Sequence, residues 1–389
     1  MAAGAVTRWA RRFVAAGGAF LLAWQAAALF GWPRQLRISL AVHGFVLHAV
    51  FGKAYSLVPS YFDRELATPR APAVQFPLSV AGALGLAAGS LPSVPEAAGA
   101  LGTGCWLAGV AVFVGALGWT LRDNPTGRET GTGDTDAHRR GVDRFANAFV
   151  PIVFAYLLAG SYGTAAPHVG LPAPAFPQTA HLLAAGTAAL LVFAVGFRLL
   201  PRLLVADPPR ALVAVVLPAG ALGPALLAWG LYRESGLWAG AALQALAVLG
   251  FGLAYAALFA RSERRRIGGY AVLAAVGCGA LGVLLGLHFA AVGIAPDLVV
   301  AHFRLNVLGF LGLTIVGATY QFYPPSVGRV RWATDRTAGA SILLLAGGLL
   351  GEAVGAVAAS GRLAAAGRAG ALAGALLFAG LIAAAFRRS

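Results

Sequence analysis

Seven histidines stand in the 389 residues, and six of them fall in or beside apolar stretches. His43, His181 and His302 each come early in such a stretch, His288 closes another, His168 stands in a connection, and His48 lies five residues beyond His43. Imidazole is costly inside a bilayer and there tends to mark a metal, a cofactor or a proton path. Histidines sharing a depth on several helices therefore point to a metal or haem. Any one of them alone is equally well explained as a hydrogen-bond former between helices or as an end residue reaching for water. On an α-helix His43 and His48 project about 140° apart, so they do not serve one ligand together. His138 lies in a polar connection and is expected to be solvated.

The other chemistry-bearing residues are few. Glu352 sits among Gly347, Gly348, Gly351 and Gly355, where it is either a protonatable membrane site or a structural, hydrogen-bonded carboxylic acid. Lys53 is the sole lysine, and its position near the end of a stretch suits a snorkelling anchor. Arg304 follows His302 by two residues. Gln25, Gln244 and Asn306 are expected to bond between helices. Cys105 and Cys278 lie in apolar stretches without C-x-x-C spacing, so they suggest neither a disulfide framework nor a zinc site. No Walker loop, G-x-S-x-G or H-E-x-x-H motif occurs.

These residues are carried by an unusually apolar chain. Hydrophobic residues make up 59% of it and charged ones 11%, against about 25% charged in an ordinary soluble domain, which excludes a soluble globule. At roughly 20 residues per spanning helix, twelve apolar stretches read as transmembrane: about 13–32, 38–59, 75–92, 97–120, 145–164, 178–200, 210–231, 236–260, 269–291, 298–323, 338–360 and 365–386. The expected fold is all-α, a single polytopic domain over 1–389. The first stretch follows Arg8, Arg11 and Arg12 but has no A-x-A-like cleavage site after it, so it is expected to be retained rather than removed as a secretory signal.

Arginine sets the expected orientation. With the N-terminus in the cytoplasm, 22 arginines fall on that side and 5 on the other (Arg34, Arg37, Arg233, Arg362 and Arg368). That bias places both termini in the cytoplasm of a multi-pass cell-membrane protein. The formal charge of +15 thus reads as a topology signal and a contact with anionic lipid, with no nucleic-acid partner required.

The polar connection 122–144, rich in Gly, Thr and Asp, reads as a flexible cytoplasmic loop, and together with the arginines at 261–266 it cuts the chain into three groups of four helices. The pseudo-repeats would be about 1–122, 145–260 and 268–389. The second helix of each carries matching punctuation: Gly44, Tyr55, Pro59; then Gly186, Phe197, Pro201; then Gly309, Tyr320, Pro324. Glycine suits close helix approach, the aromatic an interface, and proline the end of a span.

Twelve helices in three groups of four, with histidines on helices 2, 6 and 10 near one face, resemble the catalytic subunit of haem-copper oxidases, and the related NnrS family of twelve-helix haem and copper membrane proteins is similar in outline. Locally, Ala301-His302-Phe303-Arg304 through Gly309 and Gly317 to Pro324 looks like that family's A-H-F-H segment. Gly52 through Tyr55 to Leu57-Val58-Pro59 is similar to its helix 2 ending. The likeness in plan spans nearly the whole chain and the motif match about 40 residues.

The resemblance implies a haem near the outer face on His302, opposite His43 or His181, with Arg304 on a propionate. It further implies copper through His181 and His288, a redox or nitric-oxide-related role, and a respiratory electron carrier or oxidase subunits as partners. The departures are specific. Arg304 stands where the second helix 10 histidine is expected, His43 is displaced, helix 6 lacks a His-Pro-Glu-Val-Tyr-like run, and helix 7 has no histidine. Oxygen reduction by the family mechanism is therefore not expected. A second functional class stays open: a transporter or permease using Glu352, His48 and Lys53 for solute or proton movement. So does a third, a non-catalytic partner of a respiratory complex. For Arg304 the alternative to a propionate is an outward-reaching side chain paired with Asp297.

Overall fold

The fold follows from a computed structural model that describes residues 2–233, 235–328 and 330–387. Arg329 and Arg388, both counted in the orientation argument, lie outside the described residues. The regular structure of the described residues is all helix, with no strand. Twelve helices are long and apolar enough to cross a membrane: α1 (Gly4–Leu29), α2 (Arg34–Tyr61), α3 (Ala71–Ala88), α4 (Glu96–Leu121), α5 (Asp134–Val169), α6 (Phe176–Leu204), α7 (Arg210–Gly230), α8 (Leu237–Arg261), α9 (Ile267–Val292), α10 (Pro296–Phe322), α11 (Asp335–Val357) and α12 (Gly361–Phe386). The protein is a multi-pass membrane protein. Large apolar side chains stay on its outside, Leu253, Leu343 and Val357 among them, as a hydrocarbon environment permits.

Local sequence explains the ends. Thr334 and Ser360 cap α11 and α12 by accepting from the backbone N–H groups of Thr337 and Leu363. Pro296 opens α10 at its first turn, where no intrahelical N–H is needed. Proline does not close every span, however. The helix continues past Pro59 to Tyr61 and past Pro201 to Leu204, and only Pro324 lies beyond its helix. A proline's φ suits an αR residue, and in a last turn few following residues depend on it.

Three antiparallel hairpins, α3 with α4, α7 with α8 and α11 with α12, make the most extensive helix contacts. Each is drawn together at glycine. A Cβ on Gly85 would lie 2.5 Å from the Gly102 Cα, one on Gly240 2.5 Å from the Leu227 N, and one on Gly355 2.5 Å from the Ala364 N. Lipid is as apolar as leucine, so this backbone approach and its van der Waals contact, rather than exclusion of water, hold the pairs.

α2, α6 and α10 differ from the other spans in carrying a π-helical segment, at Leu40–Val46, Leu182–Ala189 and Leu305–Gly312. Each contains the glycine of the sequence punctuation, and each glycine receives a side chain from the preceding span: Phe20 on Gly44, Tyr156 on Gly186, Cys278 on Gly309. The core around them is aromatic, with Phe45, Phe51, Trp106, Phe193, Phe251 and Phe310 buried.

The connection 122–144 carries local structure in its second half. It ends in a 3₁₀ turn (Asp134–Arg139) and runs into the helix Arg140–Asn147. Asn124 Nδ2 donates to the carbonyls of Phe62 and Glu129, at 3.0 and 2.8 Å. The reason is Asp143, a buried carboxylate that anchors the segment to α6.

Candidate functional site: a histidine pair and two buried ion clusters

The histidines separate into two places. His181 lies in the second turn of α6 and His302 in the second turn of α10, and their rings come together with centroids 6.4 Å apart and planes 30° from parallel. Both are half-buried. His181 Nδ1 lies 2.7 Å from the Pro177 carbonyl and His302 Nδ1 lies 2.9 Å from the Gly282 carbonyl. A carbonyl only accepts, so each Nδ1 carries the proton and each neutral ring keeps its Nε2 lone pair free. Gly286 makes room for His302, since a Cβ there would lie 3.0 Å from its Cε1. Phe289 closes one side, 5.6 Å away between centroids.

His43 and His48 are elsewhere. His43 Nε2 is 3.3 Å from the Thr164 hydroxyl, and its ring meets Trp106 edge-on at 4.7 Å. His48 Nδ1 donates to the His43 carbonyl at 2.9 Å, and its ring lies among Phe13, Phe20 and Phe51. His288 is exposed at the end of α9. Among the described residues no three His, Cys, Asp or Glu side chains gather as a metal-ligand set. The structure thus brings His181 to His302 and brings neither His43 nor His48 to that pair.

Arg304 is placed differently from both expectations. Two residues of α-helix turn it by about 200° from His302, so it faces α1 and α11. Its guanidinium is 2% exposed; Nε stands 2.5 Å from Glu352 Oε2, and Nη2 donates to Gln25 Oε1 at 2.7 Å. Arg368 Nε donates to the other Glu352 oxygen at 2.9 Å. Asp297 lies exposed in the first turn of α10 and is not the partner. Glu352 is therefore the centre of an ion-paired cluster and not a solitary carboxyl in the membrane. Lys53 is more than an anchor: its Nζ lies 3.7 Å from the Phe322 ring centroid, 4.3 Å from that of Tyr323, and donates to the Tyr323 hydroxyl at 3.3 Å.

A second cluster was not foreseen. Asp143, 1% exposed, takes Arg202 Nη2 at 2.7 Å, Arg198 Nε at 3.4 Å and the Thr132 hydroxyl at 2.5 Å. Arg198 also donates to the Tyr61 carbonyl at 2.7 Å and to Asn147 Oδ1 at 2.6 Å, and its guanidinium stacks 4.0 Å over the Tyr61 ring. The available clue is the i, i+4 spacing of Arg198 and Arg202, which puts both on one face of α6.

No protein-family model matches the sequence, and no curated protein matches it.

Proposed function

We propose that this membrane protein binds a haem through His181 and His302, near the outer face of the cell membrane, and serves a redox or nitric-oxide-related function. One observation carries the reading: two imidazoles from different spans meet with Nδ1 occupied and Nε2 free. That is the state in which histidine ligates, its orientation fixed by the group on the other nitrogen. His181 and His302 would hold the iron through these Nε2 atoms, with their rings 6.4 Å apart between centroids. When bound, haem supplies one-electron chemistry or a site for a diatomic gas. The chain's part is to hold it: Pro177 and Gly282 fix the tautomers, and Phe289 shields His302. Arg304, turned to the other face, is not part of this reading, and neither is His43. Copper prefers a compact set of imidazoles, and this pair is what the chain offers it; His288 does not join.

The three π segments, their glycines and the three hairpins, recurring at corresponding spans, support reading the chain as three pseudo-repeats; an even number of spans puts both termini on one side, and the arginine bias supports the cytoplasm. A respiratory electron carrier or oxidase subunit is the partner that a redox role would need.

Protein purified from haem-replete cells should show a Soret band that His302→Ala and His181→Ala each abolish or shift and His43→Ala leaves in place. A colourless protein without bound metal would overturn the proposal. The Glu352 cluster, with charge buried beside a cavity, favours a second reading as a transporter; Glu352-dependent solute flux into liposomes by colourless protein would establish that one instead.

A further inference from the structure

Where α1 and α11 finish and α2, α10 and α12 begin, Arg304 and Arg368 pair with a single carboxylate, Glu352, and half-buried Arg37 and exposed Arg34 stand with Arg304 around one cavity. Four positive charges against one negative leave a formal +3. Arg34, Arg37 and Arg304, with Trp24, Ile38, Val300 and Phe303, line a small cavity of about 20 Å³. Arg304 is 2% exposed, and its Nη1 has no hydrogen-bond partner. The Nε of Arg37 and the Nε2 of Gln25 are likewise buried without a partner. Glu352 is already engaged: Oε1 accepts from Arg368 and Oε2 stands in ion-pair contact with Arg304 Nε.

Arg304 Nε and Glu352 Oε2 also lack a hydrogen bond but face each other in the ion pair; the other unpartnered groups here are donors, of which Arg304 and Arg37 line the cavity and Gln25 does not. A neutral acceptor would satisfy the donors, but the excess of guanidinium over carboxylate charge also needs an opposite charge, and the two requirements together point to an anion. Its size follows from the cavity. About 10–15 Å³ holds one water, so 20 Å³ encloses a body near that size, and a phosphate or carboxylate would stay partly outside. The apolar half of the lining, Trp24, Ile38, Val300 and Phe303, suits a weakly hydrated ion. We propose that this cavity binds a monatomic anion of the size of chloride, held by Arg304 and Arg37 and reached past Arg34. The site is independent of any haem between His181 and His302, since Arg304 and His302 project from opposite faces of α10.

The test is a chloride titration of the purified protein at constant ionic strength, with gluconate as the replacing anion. Chloride should raise the unfolding temperature saturably, as any ligand of the native state does. Arg37→Gln, which leaves the Glu352 ion pairs in place, should raise the chloride concentration for half the effect by about tenfold, the expected loss of one charge-assisted contact. Independently of any variant, the wild-type protein should broaden the ³⁵Cl resonance, and bromide should reverse the broadening. Equal stability in chloride and gluconate, an unchanged titration in R37Q, or absence of broadening overturns the proposal. So does a shift produced by phosphatidylglycerol and not by chloride, which would assign the guanidiniums to a lipid headgroup.

Discussion

Asp143→Asn tests the reasoning about buried charge most directly. The carboxylate is 1% exposed and faces Arg198, itself 2% exposed. Breaking a buried ion pair by removing one partner costs about 3–5 kcal/mol, because the other charge is left uncompensated. Here the remaining contacts place the cost at the lower end. Arg198 keeps the Tyr61 carbonyl and Asn147 Oδ1 as acceptors, and Arg202, 27% exposed, keeps Asp136 at 2.9 Å. The expected loss is about 3 kcal/mol, or about 100-fold in the ratio of folded to unfolded protein. Equilibrium unfolding in mixed micelles of dodecylmaltoside and SDS gives the number. The double variant Asp143→Leu with Arg198→Met should be less unstable than the sum of its single variants by at least about 1 kcal/mol, the coupling of residues in one network. A change below about 0.5 kcal/mol for D143N, as for an ordinary surface substitution, would refute the idea that this pair clamps the connection 122–144 to α6.

Gly85→Ala places a methyl group 2.5 Å from the Gly102 Cα, so α3 and α4 must part, at about 1–3 kcal/mol; Gly115→Ala, with nothing within 4 Å of the added Cβ, should be neutral or slightly stabilising in the same unfolding assay. Asp207, between α6 and α7, is held below its ordinary value of 3.8 by a hydrogen bond from Arg139, against a smaller opposing effect of burial, with further help from Arg139's charge and from His138. A lowered carboxylate stabilises the fold above its unfolded value and loses that contribution as pH falls through the folded one. With Asp207 58% exposed, the contribution is about 0.2–1 kcal/mol. The stability gap between wild type and Asp207→Asn should therefore be present at neutral pH and close below pH 3.8; a gap of the same size at pH 3 and pH 7 would count against it.

The spans were legible because each is a run of apolar residues long enough to cross a bilayer, and composition alone marks such a run. Their ends were less so. α1 begins at Gly4 rather than near 13 because Arg8, Arg11 and Arg12 continue the helix beyond its apolar part. α5 likewise extends back to Asp134. The shared depth of His181 and His302 was legible from their places at the start of α6 and α10. Their pairing was not, since it depends on how each helix is rotated and on which spans are neighbours. The same holds for Arg304: two candidate partners were visible nearby in sequence or by analogy, and the true one, Glu352, lies on a different helix. Asp143 escaped notice because its surroundings are polar, and nothing in a Gly- and Thr-rich connection tells a buried carboxylate from a solvated one.

The π segments have a consequence for how this chain tolerates change. Within Leu182–Ala189 and Leu305–Gly312 the helix holds more residues per turn than the spans around it, and His181 and His302 sit just before these widened stretches. Removing one residue from either would restore ordinary α-helix and swing everything on its N-terminal side by about 100°, carrying that histidine away from its counterpart. Side-chain replacement inside the segment leaves the residue count intact. The aim of the imidazoles is thus a matter of arithmetic along the backbone: robust to substitution, and lost with a single deletion.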